Sequence, residues 1–126
     1  MPPSLEFRDH VLDLLAPLGP VRARRMFGAF GIFLDGRMFG IIEDDALYLK
    51  TDKATRGDFE HAGTAPFTYQ SRGKTVALTY WEAPSELLEE GDELCSWARK
   101  AIEASLRAKP EAKPRKTRPR QRASTR

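Results

Sequence analysis

Between Phe30 and Ile42, two apolar runs flank the dipeptide Asp35-Gly36. Phe30-Gly31-Ile32-Phe33-Leu34 precedes it, and Met38-Phe39-Gly40-Ile41-Ile42 follows Arg37. Asp-Gly supplies the two positive-φ residues of a type I′ turn, whose twist matches that of an antiparallel strand pair. A β-hairpin at the centre of the domain is therefore the strongest constraint on the fold. Strands with one face in water alternate apolar and polar side chains, and these two do not. Two readings follow. Either the chain's own helices cover both faces of the pair, or one face meets a second copy of the chain in a homodimer.

The flanking segments supply the other elements. Ser4 stands as the N-cap of a first helix with Phe7, Val11, Leu14, Leu15 and Leu18 at helical spacing, ended by Pro17, Gly19 and Pro20. Val21 to Phe27 reads as a short strand. Glu43-Asp44-Asp45 makes a turn, and Ala46 to Lys50 forms the next strand. Asp52 is the expected cap of a short helix that runs through His61 and closes at Gly63. Pro66 to Gln70 and Thr75 to Trp81 form a second hairpin. In it Val76, Leu78 and Tyr80 share one face, and Thr75, Ala77, Thr79 and Trp81 the other. Pro84-Ser85 starts a turn or short helix through Glu90. Asp92 is then the expected cap of a last helix built on Leu94, Trp97, Ala98, Ala101, Ile102 and Ser105. The expected fold is α+β: a mainly antiparallel sheet, meander plus hairpin, packed with helices in the order α-β-β-β-β-α-β-β-α.

Charge divides the chain near residue 108. The net charge is +3 over 126 residues. Lys109, Lys113, Arg115, Lys116, Arg118, Arg120, Arg122 and Arg126 oppose the single acid Glu111, so residues 109–126 carry +7 and residues 1–108 carry −4. The basic segment has three prolines and no aromatic or branched aliphatic side chain. It has nothing to bury against its conformational entropy and is expected to be a disordered tail. Such a cationic, extended segment suits non-specific binding to nucleic-acid phosphates. The alternative is a merely solubilising terminus.

Few residues point to catalysis. No window is apolar enough to span a membrane, and the N-terminus lacks the basic-then-apolar order of an export signal. The expected setting is the cytoplasm. One cysteine, Cys95, excludes a disulfide framework and a cysteine-built metal site. Two histidines, His10 and His61, leave little for a histidine-based one, and the turn acids Glu43-Asp44-Asp45 read either as oxygen ligands for a divalent cation or as solvated carboxylates. Cys95 reads as a small buried thiol, His10 as a helix-surface residue and His61 as a last-turn cation. No catalytic residue, metal or cofactor is expected. Gly28-Ala29-Phe30-Gly31 has neither the spacing nor the context of a dinucleotide or KH loop, and Arg25 to Phe30 departs from the RRM motif. These glycines read as permitting a bulge or a close contact within the sheet. Arg22, Arg24 and Arg25 form either an anion-binding patch or two solvated arginines, with Arg25 paired to an internal carboxylate.

Arg25-Met26-Phe27-Gly28-Ala29-Phe30-Gly31-Ile32-Phe33-Leu34-Asp35-Gly36 resembles the N-terminal domain of the TfoX/Sxy family of bacterial competence regulators. The resemblance continues through Met38-Phe39-Gly40, Leu47 to Lys50, Phe59, Ala62-Gly63, Pro66 to Tyr69 and Tyr80-Trp81-Glu82-Ala83-Pro84, over roughly residues 5–106. It implies an α+β domain without catalytic activity and a cytoplasmic role in DNA-uptake regulation beside a protein partner in transcription. Better-studied members carry a second, helical domain where this chain has its basic tail. The recurrent Arg25, Met26, Phe27, Gly28, Tyr80 and Trp81, with neighbouring Arg24, are the residues a partner surface would draw on. The expected function is a non-enzymatic regulatory protein that engages a partner through its domain and nucleic acid through its tail. The alternatives are a small enzyme with a cleft near Arg25, His10 and acidic residues, and a nucleoid-associated polyanion binder.

Overall fold

The computed structural model describes residues 5–26 and 28–108. Helix α1 spans Leu5–Leu15 and runs into a 3-10 turn at Ala16–Leu18. Strands β1 (Arg22–Met26), β2 (Ala29–Leu34), β3 (Arg37–Glu43) and β4 (Ala46–Lys50) form the meander. Helix α2 (Arg56–Ala62) leads to the hairpin β5 (Pro66–Ser71) and β6 (Lys74–Glu82). A second 3-10 segment, Ser85–Glu89, precedes helix α3 (Gly91–Arg107). All strand pairs are antiparallel, and the sheet order is β1-β2-β3-β4-β6-β5. Class and element order agree with the sequence reading. Ser4, the expected first cap, lies outside the described residues.

The hairpin turns have a common chemistry. Asp35 and Gly36 sit at φ 54° and 78°, both positive as a type I′ turn requires. Arg72 and Gly73 repeat this at 54° and 78°, and Asp44 and Asp45 do so at 53° and 59° without a glycine. Asparate is among the few L residues whose short polar side chain tolerates that region.

Two helix starts differ from the sequence reading. Helix α2 begins at Arg56, four residues beyond Asp52. The Asp52 carboxylate accepts a hydrogen bond from the Ala54 backbone N–H at 3.0 Å and another from Arg107 Nε at 2.7 Å. It shapes the preceding turn and ties it to the end of α3, so it is not the helix cap. Asp92 also lies inside its helix: α3 starts at Gly91, with Glu90 in the N-cap position and no side-chain cap bond. Acids in that first turn still suit the helix dipole.

The core lies on one face of the sheet. Val11 and Leu15 of α1, Phe59 of α2, and Leu94, Cys95, Ala98 and Ala101 of α3 join Phe30, Ile32, Phe39, Ile42, Leu47 and Leu49 in one buried cluster. The buried alanines Ala98, Ala101 and Ala104 let α3 lie close over β3 and β4. The Phe59 and Trp97 rings meet edge to face at 4.9 Å, a geometry worth about 0.5–1.5 kcal/mol beyond area burial. Cys95 is a buried thiol whose Sγ lies 3.2 Å from the Leu14 carbonyl oxygen, and burial raises its pKa. All three helices therefore pack on the same side. Among the described residues, no helix covers the other side.

Candidate functional site

The strand registers determine which side chains the bare face carries. Arg24 is opposite Gly31, Gly31 opposite Ile41, Ile41 opposite Tyr48, and Tyr48 opposite Glu82. Directly paired residues share a face, so these five form one row across five strands. The paired residues one step along, Phe30, Ile42 and Leu47, are in the buried helix-side cluster, which puts the row on the open side. The row begins with a cation, passes through apolar and aromatic groups, and ends with a carboxylate.

Around this row the face is a shallow apolar groove of about 630 Å³, lined by Met26, Gly31, Met38, Ile41, Phe67 and Leu78 among others. Gly31 forms its floor. A Cβ at that position would lie 2.6 Å from Met26 Sδ, 2.9 Å from Met38 Sδ and 2.9 Å from Phe33 Cε1. The missing side chain is thus what lets two thioethers and a ring converge there. Tyr48 and Phe67 meet edge to face at 5.1 Å, and Tyr69 is 46% exposed at the β5 side. The Arg24 guanidinium lies over the Phe33 ring at 5.4 Å, and Lys50 Nζ over the Tyr80 ring at 5.3 Å. Burial pushes the Tyr80 phenol up to about 12. Burial also raises the Tyr48 pKa, followed by the charges of Glu82, Glu43 and Asp44.

The residues singled out from the sequence do not form one surface. Arg24, Met26 and Tyr80 belong to the open face. Trp81 points the other way, packed against the core cluster beside Leu49. Gly28 occupies the β1–β2 turn at φ 81°. Arg25, paired with Phe30, is on the helix side, where its guanidinium and that of Arg8 both lie over the Phe30 ring, at 5.3 and 5.4 Å. The internal carboxylate considered as its partner is replaced by an aromatic face. His10 Nε2 lies 2.8 Å from the Leu88 carbonyl oxygen, which joins α1 to the segment before α3. It and Arg25 have separate partners and no shared carboxylate. His61 sits in the last turn of α2. Phe27 and the tail cations Lys109, Lys113, Arg115, Lys116, Arg118, Arg120, Arg122 and Arg126 lie outside the described residues.

Met38, Ile41, Tyr48, Phe67, Tyr69 and Glu82 were not singled out as site residues from the sequence. Their signal was the loss of alternation in β2 and β3, together with the Val76-Leu78-Tyr80 stripe of β6.

The fold and this face define a two-layer α+β domain: helices on one side of an antiparallel sheet and an apolar, charge-flanked surface on the other. The chain belongs to the TfoX N-terminal domain family, whose model matches residues 13–105. It is 26% identical over 97 residues to Protein Sxy of Escherichia coli (strain K12). It is 25% identical over 97 residues to DNA transformation protein TfoX1 of Aliivibrio fischeri (strain ATCC 700601 / ES114). Each match covers 77% of this chain and 46% of the relative, so the chain spans about half the length of these curated relatives. Among the described residues, no helix is long and apolar enough to cross a membrane.

Proposed function

We propose that this chain is a non-enzymatic, cytoplasmic regulatory protein of the competence-regulator kind. Its domain assembles through the open sheet face, its tail holds nucleic acid without sequence preference, and it works with a protein partner in transcription regulation. One observation carries the reading. A six-stranded sheet has spent its helices on one side and left an apolar groove on the other. The groove is lined by half-buried Met26, Met38, Phe67 and Leu78 over buried Ile41, with exposed Tyr69 at its side, and an uncovered apolar concavity of this kind suits an interaction surface. The name of the Aliivibrio fischeri relative, a DNA transformation protein, supports the regulatory setting. The charge division supports the assignment of nucleic acid to residues 109–126, because residues 1–108 carry −4.

The test is a salt titration of duplex binding by fluorescence anisotropy, on two unrelated duplexes. It compares the full chain with a full-length variant in which the eight tail cations are glutamine. Each neutralised phosphate contributes about 0.9 to the slope of log K against log salt. Engagement of about five to seven cations then gives a slope of roughly −4.5 to −6, equal on both duplexes. The glutamine variant should not bind at moderate salt. Retained affinity in that variant, or a strong preference for one duplex, overturns this part of the reading.

A further inference from the structure

We infer that the open face is occupied by a second copy of this chain, packed sheet to sheet about a twofold axis that runs along the strands between β3 and β4. This deepens the proposed function by naming the occupant of the face, and it takes from that reading only that the face is an assembly surface. Three observations lead to it. The face is apolar at its centre, where Met26, Met38, Ile41, Phe67 and Leu78 converge. It is a sheet face without a covering layer, and the usual way to finish such a face is a second sheet about 10 Å away. Finally, the charges at the two ends of one row across it are arranged for self-complementarity.

The last observation selects the partner. The row Arg24–Gly31–Ile41–Tyr48–Glu82 runs from the edge strand β1 to β6. A twofold axis along the strands at the middle of the sheet lays the reversed row over itself with an offset of one strand. The cationic end of one row then comes beside the acidic end of the other, while Ile41 of one chain faces Tyr48 of the partner subunit. Arg24 comes within one strand spacing of Glu82 of the partner subunit, and the symmetry makes this contact twice. A C2 interface requires such a patch, one surface complementary to itself. An unrelated partner would place no such demand on the order of charges within one row. Arg24 is exposed and Glu82 half-buried, so both remain available to a partner.

Sedimentation velocity across protein concentration, on the full chain and on the full-length variant with glutamine at the eight tail cations, gives the baseline at moderate salt, where tail-mediated contacts are removed without screening the sheet face. The decisive experiment uses Arg24→Glu and Glu82→Arg, first separately and then mixed. In either variant alone, both symmetry-related contacts become like-charged, and self-association should weaken by about tenfold or more. In an equimolar mixture, each heterodimer has one swapped pair and one native pair, both attractive. The dimer should therefore return on mixing. Because each variant is tested for binding by the other, recovery also shows that both are folded. Circular dichroism of each variant alone gives the same control if recovery fails. A monomer at every concentration overturns the proposal. So does a dimer indifferent to both substitutions, or two folded variants that stay monomeric when mixed. Loss of self-association leaves the tail titration unaffected, so failure of this inference and failure of the nucleic-acid reading are read separately.

Discussion

Gly31 and Gly40 lie in adjacent strands on opposite faces of the sheet, and adding one methyl group to each should have different consequences. At Gly40, a Cβ would sit 3.2 Å from the Tyr48 carbonyl oxygen and 3.4 Å from Ile32 Cβ. Both neighbours are held by the strand ladder or the core. Overpacking a well-packed site costs about 1–3 kcal/mol, and alanine recovers only about 0.5–1 kcal/mol over glycine within a strand. Gly40→Ala should lose about 1–2 kcal/mol of stability. At Gly31 the contacts are shorter, 2.6 and 2.9 Å, but they are to the thioethers of Met26 and Met38, with the Phe33 ring at 2.9 Å. Thioethers move at little cost where the space above them is open. Gly31→Ala should therefore change stability by less than about 1 kcal/mol, because its strand gain offsets the displacement. It should nonetheless disturb self-association, because the displaced side chains fill the groove. Urea denaturation at low protein concentration reads the first quantity, and sedimentation velocity reads the second. For a domain of this size, 1 kcal/mol corresponds to about 4–8 °C in Tm. A Gly31→Ala loss equal to or larger than that of Gly40→Ala would mean that Met26 and Met38 are locked from above within the monomer. That result would refute the open face.

Gly36→Val should cost about 1–2 kcal/mol, since a β-branched residue tolerates positive φ poorly; an unchanged denaturation midpoint would contradict the turn. Arg107→Ala should reduce stability at neutral pH, because the Arg107 hydrogen bond holds the Asp52 carboxyl below its ordinary 3.8. A depressed carboxylate pKa stabilises the folded state above the unfolded value, and this contribution is lost as pH falls through the folded one. The gap between wild type and Arg107→Ala should therefore close below pH 3.8, and a gap independent of pH would count against the pair. Cys95, whose thiol burial pushes up, should react with an aromatic disulfide reagent only as fast as the domain opens, and denaturant should accelerate it greatly. Immediate reaction in the native protein would mean that the α1–α3 junction is not packed.

Periodicity and turn chemistry were enough to read the element order. Asp35-Gly36 set the central hairpin, and Val11, Leu15, Leu94 and Ala98 marked the helix stripes. Helix starts were less legible. Asp52 has the chemistry of a cap, but its carboxylate is engaged by Arg107, fifty-five positions away, and no local pattern reveals that. The Asp44-Asp45 turn has the same two positive-φ positions as Asp35-Gly36 without the glycine that announces them. The unbroken apolar character of β2 and β3 signalled covering on both faces but could not say by what. That depends on all three helices packing on one side, a tertiary outcome. Tyr80 and Trp81 are adjacent and share one sequence motif, yet strand alternation sends one to the open face and the other to the core. Likewise Arg25 turned out to have an aromatic partner, Phe30, because β1 pairs its helix-side face with that ring.

Oxidative footprinting of the full chain with peroxide, read by mass spectrometry at Met26 and Met38 across a protein dilution series, measures most directly what covers the open face. Both sulfurs converge over Gly31 on the open face, so their reactivity reports what covers it. Both methionines should oxidise readily in dilute protein and become protected together as concentration rises. Arg24→Glu or Glu82→Arg alone should remove that protection, and mixing the two should restore it. Oxidation at one rate across the whole dilution series would contradict a second copy on that face.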